Sequence, residues 1–152
     1  MSAGDLSTFA HKELVQTMCG KLLGAGAARQ VYENLLDPNM VFKFETEHGS
    51  FQNIIEWETW DRVKATAHAK WFAPCIAISP CGGLLVQRRT TPAAFHPEQI
   101  PAFFTDLKCT NFGVLFNADN TPGHFVCHDY GVHLMLEKGM TKRMQKAAWW
   151  NL

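Results

Sequence analysis

An α+β fold with an antiparallel sheet is what this sequence predicts, and three observations point to it. "MVFKFE", residues 40–45, alternates apolar and charged side chains, the period-two pattern of a half-buried strand. "GSFQNIIEWETWDRVKATAHA", residues 49–69, spaces its apolar residues as one face of a helix does. Along the chain the order is helix, strands, helix, strands and a small helical end, which suits helices segregated from an antiparallel sheet.

The first element, "DLSTFAHKELVQTMCG" (5–20), reads as a helix capped by Asp5 or Ser7 and ended by Gly20. Leu6, Phe9, Leu14 and Met18 share a face that predicts core packing. "KLLGAGAARQVYENLL" (21–36) reads as two strands around a Gly/Ala turn, and "DPN" (37–39) as the next turn. In the long helix, Ser50 is the candidate cap and Asn53 the alternative. Ile54, Trp57, Val63 and Ala67 form its expected buried stripe, with Trp60 beside it. "CIAIS" and "GLLVQRR" form a hairpin around "PCGG". "TTPAAFHPEQIPAFF" (90–104) has prolines that leave room for a short helix at most. "FGVLFN" and "HFVCH" form a second hairpin, and "EKGMTKRMQKAAWW" (137–150) reads as a basic helix.

Composition narrows the function. The chain has 152 residues, enough for a single domain with a real core. Hydrophobic residues make up 47% and charged residues 18%, which excludes a disordered chain. Formal net charge is zero, so nothing predicts capture by nucleic acid or by an anionic membrane. No apolar run is long enough to span a bilayer, and "MSAGDLSTFAHKE" lacks a basic-then-apolar leader pattern. Five cysteines without a C-x-x-C pair predict free thiols in a reducing, cytoplasmic compartment.

Several polar residues stand at spacings that suit phosphate chemistry. Gly24 and Gly26 flank Ala25 in "LGAGAARQVY"; such a turn brings backbone N–H groups close to a phosphate, or is simply a turn. Lys43 faces away from its neighbours Phe42 and Phe44. On the long helix either Glu56 or Glu58 could pair with it, and helical spacing favours Glu56. Further on come "DLKCTN", with Asp106, Lys108 and Asn111, and "CHDYG", with Asp129.

This ordered set resembles the eukaryotic-type protein kinase fold and its relatives among aminoglycoside- and choline-type kinases. The set is a Gly-rich turn, a strand lysine, a helix glutamate, D-L-K-x-x-N and D-aromatic-G. The resemblance implies a kinase-like N-lobe, with an antiparallel sheet and one long helix, over residues 1–90. A strongly reduced C-lobe over 91–152 would complete a single minimal domain. It is similar in this to small phage-encoded kinase-like proteins. The implied activity is ATP-dependent phosphoryl transfer to an unknown hydroxyl acceptor. Gly24, Ala25 and Gly26 would then cover the phosphates, and Lys43, tethered by Glu56, would contact them. Asp106 would act on the acceptor hydroxyl and Lys108 would neutralise the moving phosphoryl group. Asn111 and Asp129 would hold Mg2+. Backbone groups near Gln87 to Arg89 would meet the adenine edge.

The chain also departs from that pattern. Arg29 stands where the third glycine of the loop belongs, either on a phosphate or outside, and "FTD" replaces His-Arg-Asp. These departures and the short C-terminal part motivate the alternative, a non-catalytic kinase-like binding or inhibitor module. Trp149 and Trp150 would cap the small second lobe or pair with another subunit. Zinc at His124, Cys127, His128 and His133 is a lesser expectation. No G-x-S-x-G supports a serine hydrolase.

Overall fold

The computed structural model describes residues 3–47, 49–131 and 141–151, with the side chains of 3–8 left out of the description. Among the described residues it is α+β, with two α-helices and antiparallel sheets. The helices are α1 (Ala3–Met18) and α2 (Gln52–Val63). The first sheet contains β1 (Cys19–Ala25), β2 (Arg29–Asn34), β3 (Met40–Glu45), β4 (Cys75–Ile78) and β5 (Leu84–Arg88). Its order is β1-β2-β3-β5-β4, and every neighbouring pair is antiparallel. Beyond it lie β6 (Thr90–Thr91), β7 (Gln99–Pro101), β8 (Phe112–Leu115), β9 (Phe125–Cys127) and β10 (Met144–Lys146). Strands β6, β8 and β9 make a three-stranded sheet, while β7 pairs with β10.

The hairpin turns fall where glycine and short polar residues allow them. The turn between β1 and β2 is closed by the Gly26 N–H, which donates to the Arg29 carbonyl at 2.9 Å. The turn between β4 and β5 depends on Gly82, whose φ of +76° lies in the left-handed region. A Cβ there would also sit 2.6 Å from the Ile54 side chain, so this turn can close against α2 only with glycine.

Aromatic residues from both parts of the chain share one core. Phe72 stacks on Phe103 at 5.8 Å and meets Tyr130 edge-on at 4.9 Å. Phe103 and Phe104, just before the D-L-K-x-x-N loop, and Leu107 within it pack into the same cluster as Val63 of α2 and Leu85 of β5. Truncating a ring as buried as Phe72 costs about 3–5 kcal/mol. The two halves therefore brace each other, and the polar loop is anchored from beneath.

Several expectations are corrected. Helix α1 begins at Ala3, so Asp5 and Ser7 lie inside it, and Gly20 lies in β1, past the helix end. Phe9 and Leu14 are exposed, so this face does not pack into the core; the Leu6 side chain lies outside the description. Neither Ser50 nor Asn53 caps α2. Its N-cap is Phe51, and the Glu45 carboxylate accepts from the Asn53 N–H at 2.8 Å instead. The fully buried line of α2 is Asn53, Glu56, Thr59 and Val63; of the expected stripe Val63 is buried and Trp57 packs against the core, as does Trp60, while Ala67 lies beyond the helix and is exposed. No helix forms over 92–98. Within the described part of the expected C-terminal helix, residues 141–150, no helix forms and Met144–Lys146 is strand β10; residues 137–140 lie outside the description. Strand pairing wins there because β7 offers an open edge, and the Gln145 amide donates to the Phe104 carbonyl at 3.0 Å.

Candidate functional site: a buried charge cluster beneath the first sheet

Strand register builds one face of the site. Residues opposite each other in an antiparallel pair point to the same side. Arg29 faces Glu45, Lys43 lies between Val31 and Leu85, and Val41 faces Gln87. Arg29, Lys43, Glu45 and Gln87 thus share a face, and α2 lays Asn53 and Glu56 against it. The Phe42 and Phe44 rings take the opposite face, as the alternation of "MVFKFE" requires.

Glu56 is the centre of the cluster and has no exposed surface. One carboxylate oxygen accepts from Lys43 Nζ at 3.0 Å, the other from Arg29 at 2.7 Å. The Tyr130 N–H also donates to Glu56, at 3.0 Å, and so docks the D-aromatic-G segment on the helix. Burial pushes the Glu56 carboxyl up, but Lys43 and Arg29 more than offset this and hold it at about 2. Glu58 is exposed, so helical spacing chose the right glutamate. Lys43 also donates to the His128 carbonyl.

Arg29 is the residue whose role the sequence did not reveal. It is 6% exposed. Its guanidinium bonds Asn53 Oδ1 at 3.2 Å, Glu56 and the Asp129 carboxylate. Burial works against its charge, yet Glu56 and Asp129 raise its pKa above the ordinary value. Asn53 completes the frame, donating from its amide to the Lys43 and Gly82 carbonyls. Register counting from the Gly/Ala turn would have placed Arg29 on the Lys43 face, but only with the β2–β3 pairing known.

The D-L-K-x-x-N loop meets this cluster through its end. The Asn111 carbonyl accepts from both the His128 and Asp129 N–H groups, at 2.9 and 3.2 Å. The Asn111 amide reaches back to the Asp106 carbonyl at 3.4 Å. Leu107 and Cys109 are buried while Asp106 and Lys108 are not, so the loop presents its charged residues outward. Lys108 Nζ lies 5.5 Å from the centre of the Trp150 ring, and the Cys109 N–H donates to the Trp150 carbonyl at 3.0 Å. Trp149 points the other way, donating to the Pro97 carbonyl at 2.8 Å and packing on Phe112.

Other expected groups are placed as follows. Gly24, Ala25 and Gly26 are exposed at the hairpin tip, and a Cβ on either glycine would meet nothing within 4 Å. Near the expected adenine edge, the Arg88 N–H donates to Pro74 and the Arg89 N–H to Asn39, while the Arg89 carbonyl accepts from Phe116. Those backbone groups are already engaged within the chain. His128 is bonded at both ring nitrogens, to Thr90 and to the Thr110 carbonyl, and the Cys127 thiol is buried against the Asp129 carbonyl. Among the described residues no group of three His, Cys, Asp or Glu could hold a metal ion; His133 lies outside them. Asn111 and Asp129 meet through their backbones, but the Asn111 amide bonds the Asp106 carbonyl and the Asp129 carboxylate bonds a guanidinium. A fixed cation at that carboxylate opposes a dication, so the pair does not fit magnesium in this arrangement.

No family model matches the chain, and no curated protein or solved structure matches it either.

Proposed function

We propose that this chain is a minimal kinase-like protein that binds ATP and transfers its γ-phosphoryl group to a hydroxyl acceptor. The observation that carries the reading is the Lys43–Glu56 ion pair at 3.0 Å, with the Asp129–Tyr130 segment docked on the same glutamate. The order β1 to β3, then α2, then β4 and β5, in one antiparallel sheet, supports the resemblance that the sequence motifs suggested. In this reading the exposed Gly24–Ala25–Gly26 turn covers the phosphates and Lys43 contacts them. Asp106 positions or deprotonates the acceptor, and Lys108 neutralises the transferred group. The resemblance would place magnesium at Asn111 and Asp129, but Arg29 holds that carboxylate. Five free cysteines support a reducing, cytoplasmic setting. Among the described residues no helix is long and apolar enough to cross a membrane.

The second reading is a kinase-shaped binding module without catalysis. The Arg29–Asp129 pair and the engaged Arg88 and Arg89 backbone favour it. One experiment separates the two: γ-labelled ATP with wild type and Asp106→Asn. Transfer or slow hydrolysis falls by about a hundredfold or more in the variant, at unchanged ATP affinity, if Asp106 acts as a general base. Equal turnover at equal stability removes Asp106 from the chemistry and selects the binding module.

A further inference from the structure

We infer that Arg29 is a built-in cation that takes the place of a divalent metal at Asp129, so that the site accepts phosphate groups without a metal ion. The inference rests on reading this site as a phosphate site, but its main evidence is independent of that reading.

Three observations carry it. Arg29 is fixed rather than adaptable: it is 6% exposed and bonded to side chains from α2 and from the Asp129 segment at once. Its partners leave Asp129 paired. A cation arriving at this carboxylate would have to displace the guanidinium or share the oxygens with it. Lys43 and Arg29 stand against Glu56 and Asp129, with the Glu45 carboxylate also acting on Arg29. A dication at Asp129 would sit beside two buried cations that repel it.

Arginine suits this role better than lysine. Its guanidinium stays charged at all relevant pH values and spreads several N–H donors in a plane, so one group can hold two carboxylates and an amide oxygen. A metal ion supplies charge and geometry when it is bound; Arg29 supplies both permanently. The Asp129 side chain is 45% exposed, so the pair lies at the edge of the cluster, next to the Asn111 loop.

The test combines metal binding with nucleotide binding. Mn2+ is titrated, with detection by electron paramagnetic resonance, into wild type, Arg29→Gln, and Arg29→Gln combined with Asp129→Asn. A fluorescent ATP analogue is titrated into wild type in Mg2+ and in excess EDTA. The expected result is no Mn2+ site in wild type, a site in Arg29→Gln, and its loss in the double variant. The wild-type nucleotide affinity is the same in Mg2+ and EDTA. A Mn2+ site in wild type that is lost in Asp129→Asn, titrated alongside the other proteins, overturns the inference. So does a loss of about tenfold or more in nucleotide affinity in EDTA, the scale of one charged contact. If Arg29→Gln does not fold, both wild-type measurements still decide. Absence of any nucleotide binding, with the Mn2+ results as expected, refutes the proposed function and with it the phosphate half of the inference, and leaves only the exclusion of metal from Asp129 by Arg29.

Discussion

Glu56→Gln tests the charge cluster at its centre. The substitution preserves size and planarity and removes one charge. Glu56 accepts from Arg29 at 2.7 Å and Tyr130 at 3.0 Å on one oxygen, and from Lys43 at 3.0 Å and Gln87 at 3.5 Å on the other. Glutamine must turn its NH2 toward one of these donor pairs, whichever way it points. Lys43 then loses its carboxylate partner, while Arg29 keeps Asp129. The magnitude follows by two routes. The carboxyl is held at about 2 against an ordinary 4.5, a preference for the ionised form of about 3 kcal/mol. Removing one partner of a buried ion pair costs about 3–5 kcal/mol. Urea denaturation followed by tryptophan fluorescence reads the difference as a lower midpoint at unchanged slope. A double-mutant cycle with Arg29→Gln is expected to be less than additive, because the first substitution has already broken the shared contact. A Glu56→Gln variant within about 1 kcal/mol of wild type would refute the claim that this network joins the two halves of the chain.

Further predictions concern acid stability and the loop. His128 is held neutral, at about 4 against an ordinary 6.5, by burial first and by the Lys43 charge second. The unfolded chain therefore takes up a proton between those values that the folded chain refuses. The contribution is complete above pH 6.5 and is lost as pH falls toward 4, by about 3 kcal/mol at most. Urea midpoints should fall over this window in wild type and fall less in His128→Gln; parallel curves would exclude His128 as the cause. Trp150→Ala should cost about 1 kcal/mol through the lost contact with Lys108, and Trp150→Phe less; equal thermal shifts would show that the ring itself contributes nothing.

The parts of this molecule that follow from local pattern were legible in the sequence. The alternation of "MVFKFE" placed Lys43 correctly, and helical spacing chose Glu56 over Glu58. The hairpins at "PCGG" and between "FGVLFN" and "HFVCH" came from turn residues between apolar runs. What was not legible depends on partners distant in sequence. An arginine near a turn ordinarily lies in water, and Arg29 is buried only because β2 aligns with β3 and Asp129 arrives from the far half of the chain. The buried line of α2 is mostly polar because it faces the charged side of a sheet, so apolar periodicity found Val63 and the packed Trp57 but missed Asn53, Glu56 and Thr59. The C-terminal segment looked helical by composition, but the open edge of β7 decided it.

The measurement that bears most directly on the central claim is a calorimetric titration of ATP into wild type and Lys43→Ala. The account predicts saturable binding by wild type and affinity weaker by about tenfold or more in the variant, because one charge-assisted contact to phosphate is lost. Equal affinity in the two proteins, or no binding by wild type at millimolar nucleotide, would contradict it.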